Sequence, residues 1–204
     1  MSSPLPGAPP PEDGWRVAVG LGNPGSEYAG TRHNVGFDAL DLFAARHGLA
    51  WRQLGPAFVA ELTARRVVLL KPFTYMNRSG RALGPVRAEY PFAGPSSLFV
   101  VSDDFHLPLG ALRLRASGST GGHKGLASIE ATLQSRDYPR LRIGVGDPDH
   151  DVVDFVLSPF SAAEAEVVQE TLERAADAVE DWSRGLPFEE LQARYNRRTP
   201  QAGS

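Results

Sequence analysis

Four polar stretches of this chain carry side chains able to do chemistry on a bound molecule. The first is GLGNPGSEYAGTRHNVG (20–36), which holds more glycines, amides and titratable groups than a surface turn needs. His33 ends its loop part, where a scaffold can hold an imidazole facing a cleft; as a lone histidine it reads equally as a helix cap or a surface residue. An imidazole becomes a credible base when a carboxylate orients it and a donor holds the substrate nearby. Asp103 and Asp104 offer carboxylates at the end of the apolar run SLFVVSD, although a turn in SDDFHLPLG accounts for one of them. Asn77, in KPFTYMNRSG (71–80), can aim an amide at a carbonyl or a water, or can cap a helix together with Thr74. Finally SGSTGGHKG (117–125) opens a helix in a manner that suits a phosphate or a carbonyl, or serves as a flexible connection. Arg113, Arg115, Lys124, Arg140 and Arg142 surround it, enough for a phosphate clamp or for ordinary solvated strand charges.

These groups need elements to position them. WRVAVGL (15–21) reads as a buried strand, and NVGFDALDLFAARHG as a helix stopped by Gly48. AFVAELTARRVVLLK reads as two strands joined by a tight turn, and MNRSGRALGPVRAEY as a helix that Pro85 kinks or interrupts. SLFVVSD, GALRLRA, RLRIGVG and VDFVLS read as further strands; LASIEATLQS and the long SAAEAEVVQETLERAADAVEDWSRG read as helices. Interleaved strands and helices with hairpin-like pairs predict an α/β fold: a single-domain three-layer α/β/α sandwich around a twisted mixed β-sheet. The domain is expected over 15–196, between a Pro-rich disordered extension (1–14) and a flexible tail (197–204).

Composition narrows the partners. Of 204 residues 42% are hydrophobic and 22% charged, enough for one buried core, and the formal charge of −3 requires any polyanion to be held by a local basic patch. The absence of cysteine excludes disulfides and thiolate metal sites. With no apolar span and no secretory start, the expected location is cytoplasmic, away from membranes. Gly20-Leu21-Gly22-Asn23-Pro24-Gly25 matches a dinucleotide-binding pattern literally, but its third glycine does not open the helix and Asp38 and Asp41 fall within it.

Taken together, GLGNPGSEYAGTRHNVGF, LLKPFTYMNRSG, VVSDDFHLPLGALRLR, GSTGGHKGL and RLRIGVGDP resemble the bacterial peptidyl-tRNA hydrolases, in order and from about Arg16 to Tyr195. The resemblance implies a monomeric hydrolase of the ester between a peptide and the 3′ ribose of tRNA, recycling tRNA from prematurely released peptidyl-tRNA, with no cofactor and no metal. It implies His33 as general base, Asp103 as its partner, and Asn23 and Asn77 as cleft amides. Tyr28 and Met76 match residues beside the scissile end, and Arg115 and Arg142 match a clamp on the 5′ phosphate of the acceptor stem. Lys124 stands where the family most often has an Asn that contacts substrate, and His106 where many members carry an acid. The fold also serves intron-splicing RNA-binding factors that do not hydrolyse; the Asn23, His33, Asn77, Asp103 set favours the enzyme.

Overall fold

A computed structural model describes residues 14–148 and 151–196. The expected extension, apart from Gly14, and the expected tail lie outside the described residues. Seven strands form one mixed sheet: β1 (Arg16–Gly20), β2 (Arg52–Leu54), β3 (Ala57–Leu62), β4 (Val67–Pro72), β5 (Leu98–Asp104), β6 (Leu112–Arg115) and β7 (Arg140–Gly144). Their order is β2-β3-β4-β1-β5-β7-β6. The four central strands run parallel, while β3 and β6 pair antiparallel with β4 and β7. Parallel strands are buried on both faces, which is why β1, β4 and β5 are almost uninterrupted apolar runs.

Helices cover both faces. On one side α1 (Val35–Arg46), α4 (Val152–Leu157), α5 (Ala165–Ser183) and α6 (Phe188–Tyr195) close a core around Ala18, Phe43, Phe99 and Trp182. On the other, a 3₁₀ segment (Met76–Ala82), α2 (Leu83–Glu89) and α3 (Lys124–Leu133) close a core around Val17, Val19, Leu70 and Ile129. The expected three-layer α/β/α architecture is therefore present. The chain leaves β1 toward the first face through α1 and enters β5 from the second through α2. The sheet thus has its switch point between β1 and β5, where ligands of open α/β sheets bind beyond the strand C-termini.

Two glycines set how α1 meets that switch point. A Cβ on Gly20 would lie 2.3 Å from the Gly36 carbonyl oxygen, and one on Gly36 would lie 2.5 Å from that of Leu21. Only the bare backbones allow the first turn of α1 to dock this tightly on β1.

Three local expectations change. VDFVLS is a helix, α4, and not a strand: Asp151 caps it, its carboxylate accepting from the Val153 and Asp154 amides at 2.8 and 3.2 Å. MNRSGRALGPVRAEY begins as 3₁₀ and becomes α-helical at Leu83, so Pro85 lies in the first turn of α2, where its missing N–H costs no hydrogen bond. The short edge strand β2 and helix α6 add to the elements expected from the sequence. No helix among the described residues is long and apolar enough to cross a membrane.

Candidate active site

The C-terminal ends of the parallel strands surround a cavity of about 300 Å³. Its polar wall consists of Asn23, His33, Asn77, Asp103, His123 and Lys124, and its apolar wall is dominated by Tyr75, Met76, Phe105 and the α4 side chains Val152, Val153, Val156 and Leu157. A wall that is mostly apolar with a few convergent polar groups is the usual composition of a small-molecule or substrate-end site.

His33 sits in a 3₁₀ turn, Arg32–Asn34, immediately before α1. Its neighbours fix that turn from both sides. The Arg32 guanidinium is buried between the Phe155 and Phe160 rings, donating to the Val145 carbonyl at 3.1 Å and to Glu164 at 2.9 Å. The Asn34 side chain accepts from the Asn23 amide N–H at 2.9 Å and donates to the Asn23 carbonyl at 3.0 Å. Asn23 Oδ1 in turn accepts from the Met76 N–H at 2.9 Å, which aligns the loop after β1 with the loop after β4. With its oxygen used, the Asn23 amide offers its Nδ2 donors to whatever fills the cavity.

Asp103, at the end of β5, is 2% exposed and binds two imidazoles through one oxygen: His33 Nδ1 at 2.7 Å and His123 Nε2 at 3.0 Å. The tautomer of His123 follows from its other nitrogen, which accepts from the Gly125 and Leu126 amides at 3.0 and 3.3 Å and so caps α3. Its proton must then be on Nε2, facing Asp103. Burial opposes a charge on Asp103, but the electrostatic attraction of the His123 and His33 N–H groups and the hydrogen bonds they donate outweigh it and hold the carboxyl below the usual carboxylate range. An ionised Asp103 keeps the His33 proton on Nδ1 and leaves Nε2 as the ring's basic atom. Asp104 has the other expected role: it accepts from the His106 N–H at 2.9 Å and from Arg142 at 2.9 Å, holding the turn after β5.

His33, Asp103 and His123 bring ligand-type atoms within 4.8 Å of one another, as a metal site would require. The imidazole-to-carboxylate distances are those of direct N–H···O hydrogen bonds, and the amides on His123 Nδ1 occupy its second nitrogen, so a proton network accounts for the cluster.

Other expected contacts are placed differently. Met76, Asn77 and Lys124 line the cavity, whereas Tyr28, half-buried in the 3₁₀ turn Ser26–Tyr28, is not part of its wall. Tyr75, 62% exposed, is the aromatic side chain at the mouth. Arg115 is exposed on β6, but the Arg142 side chain is only 12% exposed and spans Asp104 and the Ser119 carbonyl. Arg140 is fully buried, donating to the Gly118, Ser119 and Arg136 carbonyls and to Glu130. The 117–122 loop thus turns carbonyls toward arginines and, with His123 on two α3 amides, is no open phosphate cradle. Nor is Gly20–Gly25: the Phe37 ring packs 2.6 Å from a Cβ position on Gly22, and α1 starts only at Val35.

The sequence alone did not assign roles to Arg32, Asn34, Tyr75, Phe105 or His123. For His123 a signal exists, since a polar residue directly before a helical run is a cap candidate. For the others nothing in the local pattern separates a positioning side chain from a loop residue.

Comparison with known proteins agrees with the geometry. A family model described as peptidyl-tRNA hydrolase matches residues 17–202. A peptidyl-tRNA hydrolase of Chloroflexus aggregans is 46% identical over 191 residues, covering 91% of this chain and 99% of that protein. One of Symbiobacterium thermophilum is 48% identical over 172 residues, covering 81% and 90%. The crystal structure of peptidyl-tRNA hydrolase from Acinetobacter baumannii superposes with a TM-score of 0.84 at 30% identity, covering 98% of this chain and all of that one. With a family model matching nearly its whole length and relatives of 46% and 48% identity aligned over most of their own length, this chain belongs to the peptidyl-tRNA hydrolase family.

Proposed function

We propose that this protein hydrolyses the ester linking a peptide to the 3′ ribose of tRNA, with His33 as general base. The observation that carries the mechanism is the 2.7 Å bond from His33 Nδ1 to the buried Asp103, which leaves Nε2 basic in a cavity also lined by Asn23 and Asn77. Nε2 takes a proton from a water, whose oxygen adds to the ester carbonyl; the tetrahedral intermediate collapses and the imidazolium returns the proton to the departing ribose oxygen. Among the described residues the cavity wall contains no Ser, Thr or Cys, which favours water as the nucleophile. The Asn23 Nδ2 donors, held by the Met76 amide on the other side of the side chain, support the oxyanion; Asn77, exposed at the mouth, holds the peptide.

Met76 and Tyr75 supply the apolar surface on which the terminal adenosine packs, and Tyr28 meets the substrate outside the cavity wall. Arg115, with Arg142 behind it, takes the acceptor-stem 5′ phosphate; Arg142 contributes charge and orders the 117–122 loop through Ser119. The test is release of the amino acid from N-acetyl-aminoacyl-tRNA by purified protein. His33→Ala should lower kcat about 10²–10⁴-fold, the range of a general base, with tRNA affinity kept. Undiminished kcat in that variant sinks the mechanism.

A further inference from the structure

One charge in the cleft is not used by the mechanism. Lys124 is the first residue of α3, exposed, and lines the cavity beside His33, Asn23 and Asn77. Its backbone position is well fixed, because the preceding His123 is clamped between Asp103 and the α3 amides. Its ammonium has no hydrogen-bond or ion-pair partner among the described residues. Among the described residues the one carboxylate in the cavity wall, Asp103, is shared by two imidazoles, and the adjacent Asp104 is paired with Arg142. The rest of the described wall is imidazole, amide, glycine and apolar surface, so among the described residues no carboxylate neutralises Lys124.

We propose that Lys124 binds the phosphodiester that joins the ester-bearing terminal nucleotide to the rest of the RNA chain. The inference rests on the hydrolase reading above. In that substrate the scissile carbonyl is neutral and an N-blocked peptide carries no α-amino charge. The anion nearest the ester is the phosphate on the 5′ side of the same ribose. An ammonium donates three hydrogen bonds and accepts none, so it matches phosphate oxygens and not the mixed donor and acceptor edge of a peptide. With no ion pair to Lys124 among the described residues, none has to break when the phosphate arrives. Lys124 therefore discriminates between a nucleotide ester and a bare nucleoside ester. It also places the ribose so that the 3′ ester meets His33.

Two measurements test this on the full chain. The first compares kcat/KM for two small substrates: the 3′ N-acetyl-aminoacyl ester of adenosine, and the same ester of adenosine 5′-(methyl phosphate). The native protein should prefer the phosphodiester about five- to tenfold, as a charge-assisted contact in a partly open cleft provides. Lys124→Gln should bring that ratio close to one, and Lys124→Arg should keep most of it. The second follows KM for N-acetyl-aminoacyl-tRNA against salt, where Lys124→Gln should flatten the logarithmic slope by about 0.7, the value for one single-strand phosphate contact. A preference retained in Lys124→Gln, or an unchanged salt slope, overturns the inference. Equal cleavage of the two esters by the native protein does so as well. Failure of the native protein to cleave N-acetyl-aminoacyl-tRNA overturns the hydrolase reading itself, and this inference with it.

Discussion

At the scale of single residues, the site depends on one carboxylate oxygen that receives two imidazole protons. His123 cannot replace His33 as base, because its second nitrogen accepts backbone amides; its part is to hold Asp103 in place from the α3 side. Asp103→Asn tests this division. An amide of the same size presents either an oxygen or an N–H to the His33 ring, and it carries no charge to stabilise an imidazolium. The expected result is a fall in kcat of about 10²–10⁴-fold with a much smaller change in KM, measured on N-acetyl-aminoacyl-tRNA. A change confined to KM would assign Asp103 to binding instead. Placement made His33 and the Asp103/Asp104 pair candidates, since a carboxylate ending a buried strand and a histidine beginning a helix belong at the same sheet edge; the family resemblance singled out Asp103. The contact of His123 with Asp103 was not legible: beyond its cap position, it arises where the segment after β6 returns to the end of β5, a long-range event with no periodic signature.

At the scale of elements, the sheet and its main helices could be read because their apolar periods are long, as in β5 or in α5, where Thr171, Ala175, Ala178, Val179 and Trp182 form the buried stripe. α4 was misread because its run of six residues is too short to distinguish a period of 3.6 from one of 2, and the Asp151 cap decides it. That helix matters, since its valines form a cavity wall and the segment after it carries the turn of His33: the Arg32 N–H donates to the Ser158 carbonyl at 3.1 Å, and Thr31 bridges Pro159. Glu164, just before α5, completes the tie through Arg32, and its carboxyl is lowered from 4.5 to about 2, chiefly by the Arg32 hydrogen bond and further by the Ser161 amide and hydroxyl, against some burial. A depressed carboxyl stabilises the fold fully above its unfolded value and loses that contribution as pH falls toward its folded value. Glu164→Gln should therefore cost about 1.5–3 kcal/mol at neutral pH, the range for hydrogen bonds to charged groups. The gap to the native protein should shrink below pH 4.5 and close near pH 2. Denaturant midpoints at several pH values give the answer, and a pH-independent gap would show that the carboxylate charge is not what holds the turn.

At the scale of the whole molecule, a formal charge of −3 says little about RNA because the charges are sorted between the two faces of the sheet. The α1 and α5 face carries the exposed Glu166, Glu170, Glu173 and Asp177 of α5. On β6 the leucines Leu112 and Leu114 pack into the core under that face, so alternation turns Arg113 and Arg115 to the opposite side, the side of α3 and Lys124. Register places Arg113 beside Arg142 and Arg115 beside Arg140. The inner pair is tied down by Asp104, Glu130 and loop carbonyls, and the outer pair is exposed without partners among the described residues. Buried arginines thus fix the strand pair and the 117–122 loop, and under the proposed function the exposed pair would meet the acceptor-stem backbone. Replacing both Arg113 and Arg115 by Gln should raise KM for N-acetyl-aminoacyl-tRNA about tenfold or more at low salt. It should also flatten the salt slope by about 1.8, two duplex phosphate contacts at 0.9 each. Because these residues lie away from the cavity wall, kcat/KM for the small nucleotide esters should move far less than it does for tRNA. An equal loss on the small esters would mean that β6 shapes the cavity, and an unchanged salt slope would place the acceptor stem on another surface.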